Sequence, residues 1–487
     1  MLYKLRIIII VTIYLFLSIQ VYAFNQSSSG THFLGISINE NNEFIINNKI
    51  DLEGSIVHLP ASTSIVFKGG GSIKNGTVIL HDNCGVYGNN TILYAYYKIR
   101  GTIVSHQSLF VAESCSNIIL KDITIRGGYK EAYGNLNPWG DNSPDSQSLV
   151  FIKDCKNVKL DNVTVTKFYN SRSNYYKTWD ETYKSNHNMF PVLMYNCDNI
   201  TLNKCKESSS CGEAWTIMNS RQITIDEFEC RQKYGTSILS VIYCSDVQIT
   251  DSHFEVKNSL GNIVNTICQN FTISNCTFIG GDLDFGNEHA NVDIDLDGNG
   301  LLGDNKTYVI TNAHIINNLF RNASITNNTV KTVSIDYPIS DVTIKNNIIE
   351  IDVSKRSSLR AINLGSYGSI KYCNISNNHV TFIGKYNRKY SSNSEYRYIP
   401  IVVYRPHYNV NELIITNNII LDKARWNRSK LKTLEMTKVL GSSIIVNINK
   451  GNVILEDNNF QTLYDLNIKE GNGVTVNSSN NGFIEKN

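Results

Sequence analysis

Proline is scarce in this chain, with seven in 487 residues. The motifs that announce many common catalytic folds are missing as well. There is no glycine-rich nucleotide loop, no serine nucleophile elbow and no cysteine pair at zinc spacing. Neither sign of charge is in excess. The net charge is +2 with 18% charged residues, a balance that gives no reason to invoke nucleic acid or an anionic membrane surface. Beyond Ile19 no run is long and apolar enough to cross a bilayer. What is abundant is Asn, Ile, Ser, Thr and Tyr, a composition that favours strands and Asn-rich turns over helices.

The N-terminus has its own character. Lys4 and Arg6 precede the apolar run Ile7–Ile19, and Val21-Tyr22-Ala23 offers small residues at a cleavage point. This is the form of a secretory signal peptide over residues 1–23. The run is short for a membrane span, so no stable span is expected after cleavage. The mature protein is expected to be secreted, periplasmic or at the cell surface. Eleven cysteines in an exported chain would ordinarily suggest disulfides, but their placement points elsewhere.

Cys115, Cys155, Cys197, Ser220, Cys244 and Cys268 head near copies of one unit, at spacings of 40, 42, 23, 24 and 24. Seven residues after each comes Asp122, Asn162, Lys204, Glu227, Asp251 or Asn275, with an alternating apolar strand between. The turn signature returns at Asn327, Asn346, Asn377, Asn417 and, weakly, Asp457, with an earlier copy at Asn75; the register of Asn317 stays open. Period-two alternation, Asn at a recurring turn and a unit of about 24 residues indicate a solenoid of parallel strands. Asn suits the turn because it tolerates left-handed backbone. The cysteines then stack inside the coil as small buried residues, and a reduced ladder is expected because Ser220 interrupts the row without disturbing the repeat.

The pattern resembles the right-handed parallel β-helix proteins of the pectate-lyase-like superfamily, over about residues 50–480. The resemblance implies an all-β, single-stranded right-handed parallel β-helix over residues 51–487 with long loop insertions, closed by an N-terminal cap at residues 24–50. Members include polysaccharide lyases, glycoside hydrolases, epimerases and phage tailspike-like depolymerases; the last lack signal peptides, which disfavours that branch. The Gly-His-Gly and adjacent Asp-Asp of the polygalacturonase type are absent, as is the Arg-x-Pro-x-x-Arg of the pectate lyase type. No reaction is therefore carried over residue by residue. Lys423–Leu440 is the best helix candidate, as an excursion from the solenoid.

In the strand after the turn, alternation sends Phe228, Cys230, Phe254 and Val256 inward. Glu229, Arg231, Lys233, His253, Glu255 and Lys257 then face outward, with Lys206 and Ser208 in the same columns one coil earlier. Insertions at about 127–148, 167–190 and 280–306 leave three uninserted coils between walls, a gap of roughly 14 Å. That is wide enough for a sugar chain. Trp139, Tyr175, Tyr176 and Trp179 in the walls are candidates for stacking on sugar rings. Glu229, Arg231, His253 and Glu255 are the candidate catalytic residues, with Lys233 and Lys257 as substrate-binding cations. Carboxylates at that spacing suit glycoside hydrolysis, while a His tuned by a carboxylate beside basic residues suits β-elimination on a uronate.

The stretch 291–304 resembles an EF-hand loop lacking its closing Glu. Asp293, Asp295, Asp297, Asn299 and Asp304 are its candidate Ca²⁺ ligands. The expectation is a secreted enzyme acting on a polysaccharide, acidic rather than neutral, as lyase or hydrolase. A non-catalytic surface protein that binds glycans or builds structure is the alternative.

Overall fold

The computed structural model describes residues 32–99, 102–106, 108–127, 148–166, 191–208, 215–235, 238–259, 262–285, 311–321, 323, 325–327, 339–355, 359–365, 370–386, 398–426, 444–461, 467–470 and 474–483. Among them every regular element is a strand, and 37 strands join one sheet whose coil-to-coil pairings are parallel. One coil shows the plan. Val192–Tyr195 forms a first face, Asp198–Asn203 a second and Lys206–Ser208 a third. The next coil repeats it with Trp215–Met218, Arg221–Asp226 and Glu229–Gly235, each strand pairing with its counterpart. The fold is a parallel β-helix.

Register gives the coil directly. Ser116 pairs with Lys156, Lys156 with Asp198, Asp198 with Arg221, Arg221 with Ser245 and Ser245 with Gln269. The corner between second and third faces is held by left-handed residues. Asp122, Asn162, Lys204, Glu227, Asp251 and Asn275 all have φ between 48° and 57°. Lys204 and Glu227 there show that the stacked corner imposes its conformation on residues that disfavour it in isolation.

Three sequence expectations need adjustment. Asn317, at φ 58°, is the corner residue of its coil. Asn327 instead ends the first-face strand Ile325–Asn327 and pairs with Leu364. Both carry an Ile-x-Asn-Asn text, and only the register between coils separates them. Parallel pairing also begins at Glu43, opposite Ser64, so coils start ahead of residue 50. The opening of the helix candidate is strand: Arg425 and Trp426 pair with Lys385 and Tyr386, because a neighbouring coil offers an edge. The remainder, residues 427–440, lies outside the described residues, as do the signal segment and the cysteine at position 211.

Two polar rows run inside the coil. The described cysteines are buried and outside any disulfide, with Cys115, Cys155, Cys197, Cys244 and Cys268 in one column. Burial pushes the Cys244 thiol up to about 12. Ser220 fits the row because its hydroxyl accepts from Cys197 N at 2.9 Å and donates to Met218 O at 2.6 Å. Further along, Asn318, Asn347, Asn378, Asn418 and Asn458 are buried and linked side chain to side chain. The Asn378 amide donates to Ile344 O (2.9 Å) and Asn418 Oδ1 (3.0 Å), and its Oδ1 accepts from Asn347 N and Nδ2 (3.0 Å each).

Removing one member of that row strands buried donors and acceptors on both neighbouring coils. Asn378→Ala is expected to lower stability by about 2–4 kcal/mol. Asn377→Gly, at φ 55° on the adjacent corner, should stay within about 1 kcal/mol of wild type, since Gly adopts that backbone freely. Urea midpoints of the two variants check the contrast.

Candidate functional site

Glu229–Gly235 and His253–Ser259 are consecutive third-face strands. Their alternation is enforced from inside, where Phe228, Cys230, Phe254 and Val256 are 0–1% exposed. Phe254 stacks on Phe228 and on Phe278, with centroids 5.8 and 5.2 Å apart. With the apolar residues locked inward, the residues between them must face out. Glu229 pairs with His253 and Arg231 with Glu255. One coil earlier, Lys206 and Ser208 precede them in the same two columns.

The outer side chains form a chain of charge contacts. Lys206 Nζ lies 3.2 Å from Glu229 Oε2, Arg231 Nε lies 3.0 Å from Glu229 Oε1, and His253 Nε2 lies 3.4 Å from Glu255 Oε2. Exposure grades across the patch. Arg231 is 61% exposed and reaches solvent, whereas Glu255 is 24% exposed. The hydrogen bond from Lys206, aided by the charges of Lys206, Arg231 and His253, holds the Glu229 carboxyl below its ordinary range against the opposing effect of partial burial. Glu229 is therefore an anion at neutral pH. It suits charge stabilisation or proton acceptance and is unsuited to proton donation. His253 and Glu255 make the complementary pair: the carboxylate orients an imidazole able to take or deliver a proton.

Glu229 and Glu255 are one coil and two residues apart, about 8 Å between Cα atoms. Carboxyl groups on flexible side chains at that spacing reach the separations that glycoside hydrolysis uses. Sequence reasoning put Lys206 in this column only by analogy with the next coil, and its direct contact with Glu229 depends on side-chain reach across one coil. It also missed Glu207. This residue is 1% exposed in the inward column, between Val165 and Cys230. A carboxyl so placed must be neutral or held by a partner, and it lies directly behind the patch.

Lys233 and Lys257 occupy later positions of the same two strands. Trp139, Tyr175, Tyr176 and Trp179 lie outside the described residues, and so do Asp293, Asp295, Asp297, Asn299 and Asp304. Among the described residues, no cluster of three or more His, Cys, Asp or Glu is arranged to hold a metal ion, and no helix is long and apolar enough to cross a membrane.

No protein-family model and no curated protein matches the chain. Among solved structures it is similar to a hyperthermoactive exopolygalacturonase from Thermotoga maritima, at 12% identity over 76% of this chain and 85% of that one, with a TM-score of 0.36. It is also similar to a tailspike protein double mutant of E. coli bacteriophage HK620 in complex with pentasaccharide, at 11% identity over 89% of this chain and 72% of that one, again with a TM-score of 0.36. The fold of this chain rests on its own coil-to-coil register.

The Glu229 contacts have a pH signature. A carboxyl with a lowered folded pKa contributes stability that is full above the ordinary value of 4.5 and is lost as pH falls through the folded value. At 35% exposure, solvent screening keeps that contribution below about 1 kcal/mol. Glu229→Gln should therefore lower the urea midpoint slightly at pH 7, and the gap to wild type should narrow as pH falls below the ordinary value of 4.5.

Proposed function

We propose that the protein is an exported β-helix enzyme that cleaves an acidic polysaccharide on its third face. The observation that carries this reading is the outward patch of Lys206, Glu229, Arg231, His253 and Glu255, in which Glu229 is held ionised between two cations while His253 faces Glu255. A row that served only solubility would need opposite charges in alternation; an imidazole directed at a carboxylate adds a proton-transfer pair. In this reading His253 is the acid–base residue, Glu255 orients it, and exposed Arg231 meets the carboxylate of a uronic-acid ring. Charge developing next to the sugar carboxylate would be stabilised by Arg231 and Lys206.

Lyase and hydrolase chemistry leave different products, so one assay separates them. Purified protein is incubated with uronate-containing and neutral polysaccharides. New ultraviolet absorbance marks an unsaturated product and a lyase; new reducing ends without it mark a hydrolase. Activity is expected on the uronate polymers, with His253→Gln lowering kcat by about 10²–10⁴-fold. Binding with neither signal would turn the reading to a glycan-binding surface protein. Wild-type turnover in His253→Gln would remove His253 from the chemistry.

A further inference from the structure

The corner between first and second faces, across the second face from the His253 patch, carries a groove of about 750 Å³. It is within the size range of ligand sites. Lys153 and Tyr195 pair at the ends of first-face strands on its rim. Lys156, Asp198 and Arg221 are successive members of one second-face column along it. Tyr243 lines it two coils beyond Tyr195, about 10 Å along the solenoid axis.

Tyr243 is the unusual residue. Five successive coils place a left-handed residue at this corner. In four coils that residue is Ser114, Asp154, Asn196 or Asn219, at φ 52°, 54°, 52° and 47°. All are small polar residues that suit the conformation. The next coil uses Tyr243 at φ 56°. The turn makes no demand for a large ring there, as its predecessors show, and a bulky side chain in left-handed backbone is disfavoured. The ring is half-buried, packed partly on the core and otherwise bordering the groove.

The charges nearby are unequally engaged. Arg221 donates to Asp198 Oδ2 at 2.7 Å, so that pair largely neutralises itself. Lys156, one coil back from Asp198, is exposed and makes no close ion pair among the described residues, its charge acting on Asp198 at longer range. Tyr243 and Lys156 lie three coils apart, roughly 14 Å along the axis. The groove thus has an aromatic ring toward one end and an ammonium toward the other, and is edged with amides, hydroxyls and the Asp154 carboxylate. That arrangement matches a short oligosaccharide that carries anionic groups rather than a single sugar ring.

We propose that this groove is a second saccharide-binding site for an acidic oligosaccharide, with Tyr243 as the platform for one ring and Lys156 as the cation for an acidic group farther along the same chain. It takes its ligand class from the acidic-polysaccharide reading above, but its location is independent of the His253 patch.

Binding of hexameric oligogalacturonate and oligoglucuronate, with cellohexaose as the neutral control, is measured by calorimetry in a His253→Gln background. Tyr243→Asn and Lys156→Gln are each expected to weaken binding of at least one acidic probe about tenfold, and Lys156→Arg to retain it. Cellohexaose is expected to bind at least tenfold more weakly than that probe. Asn is the residue of the two preceding coils at this corner, so the thermal midpoint of Tyr243→Asn should remain within a few degrees and separates lost binding from lost folding. Acidic-probe affinity unchanged in both Tyr243→Asn and Lys156→Gln overturns the groove, as does absence of acidic-probe binding in the parent. Equal affinity for cellohexaose overturns the anionic ligand. The enzyme reading fails separately, when wild type yields no product from any polymer while groove binding persists.

Discussion

Hydrogen bonding between parallel strands of successive coils is the constraint from which the rest of this molecule follows. Each coil must stack on the last in register, so every position along it becomes a column running the length of the helix. A residue is then judged by its column. The corner columns require left-handed backbone, and Lys204 and Glu227 adopt it alongside Asp251 and Asn275. The inward columns require apolar or self-satisfying side chains, which explains Phe228, Phe254 and Phe278 in stacks. The outward columns require nothing of the fold, and that freedom is where chemistry has room.

Inside the coil, polar groups are admitted where a neighbour one coil away completes them. The asparagine row does so by repetition, since each amide donates forward along the solenoid and accepts from the coil behind. The cysteine row is more permissive: thiols are nearly apolar when buried, and Ser220 substitutes by bonding to backbone on both sides. Glu207 departs from this economy, a carboxyl in an otherwise apolar column. Its neighbours on the strand, Lys206 and Ser208, belong to the outer patch, so the departure from rule in the core coincides with the charged surface in front of it.

The patch also shows how little local charge counting says about chemistry. Glu229 and Glu255 are both partly buried glutamates on adjacent coils. One lies between Lys206 and Arg231 and is held ionised; the other faces an imidazole. Two carboxyl groups of equal sequence rank acquire different roles because Glu229 gains Lys206 from its column and Arg231 from its own strand, whereas Glu255 meets His253 on its own strand.

The sequence by itself determined the solenoid, its coil of about 24 residues and the facing of Glu229, Arg231, His253 and Glu255. Period-two burial and a fixed turn spacing are local properties that survive in text. It could not separate Asn317 from Asn327, because both carry the same local words and only pairing with other coils assigns one to a corner and the other to a strand. Contact between Lys206 and Glu229, the buried position of Glu207 and the left-handed Tyr243 beside a groove were decided by tertiary structure. Each depends on what lies one coil away, roughly 24 or more residues along the chain, and on side-chain reach that alternation alone does not encode.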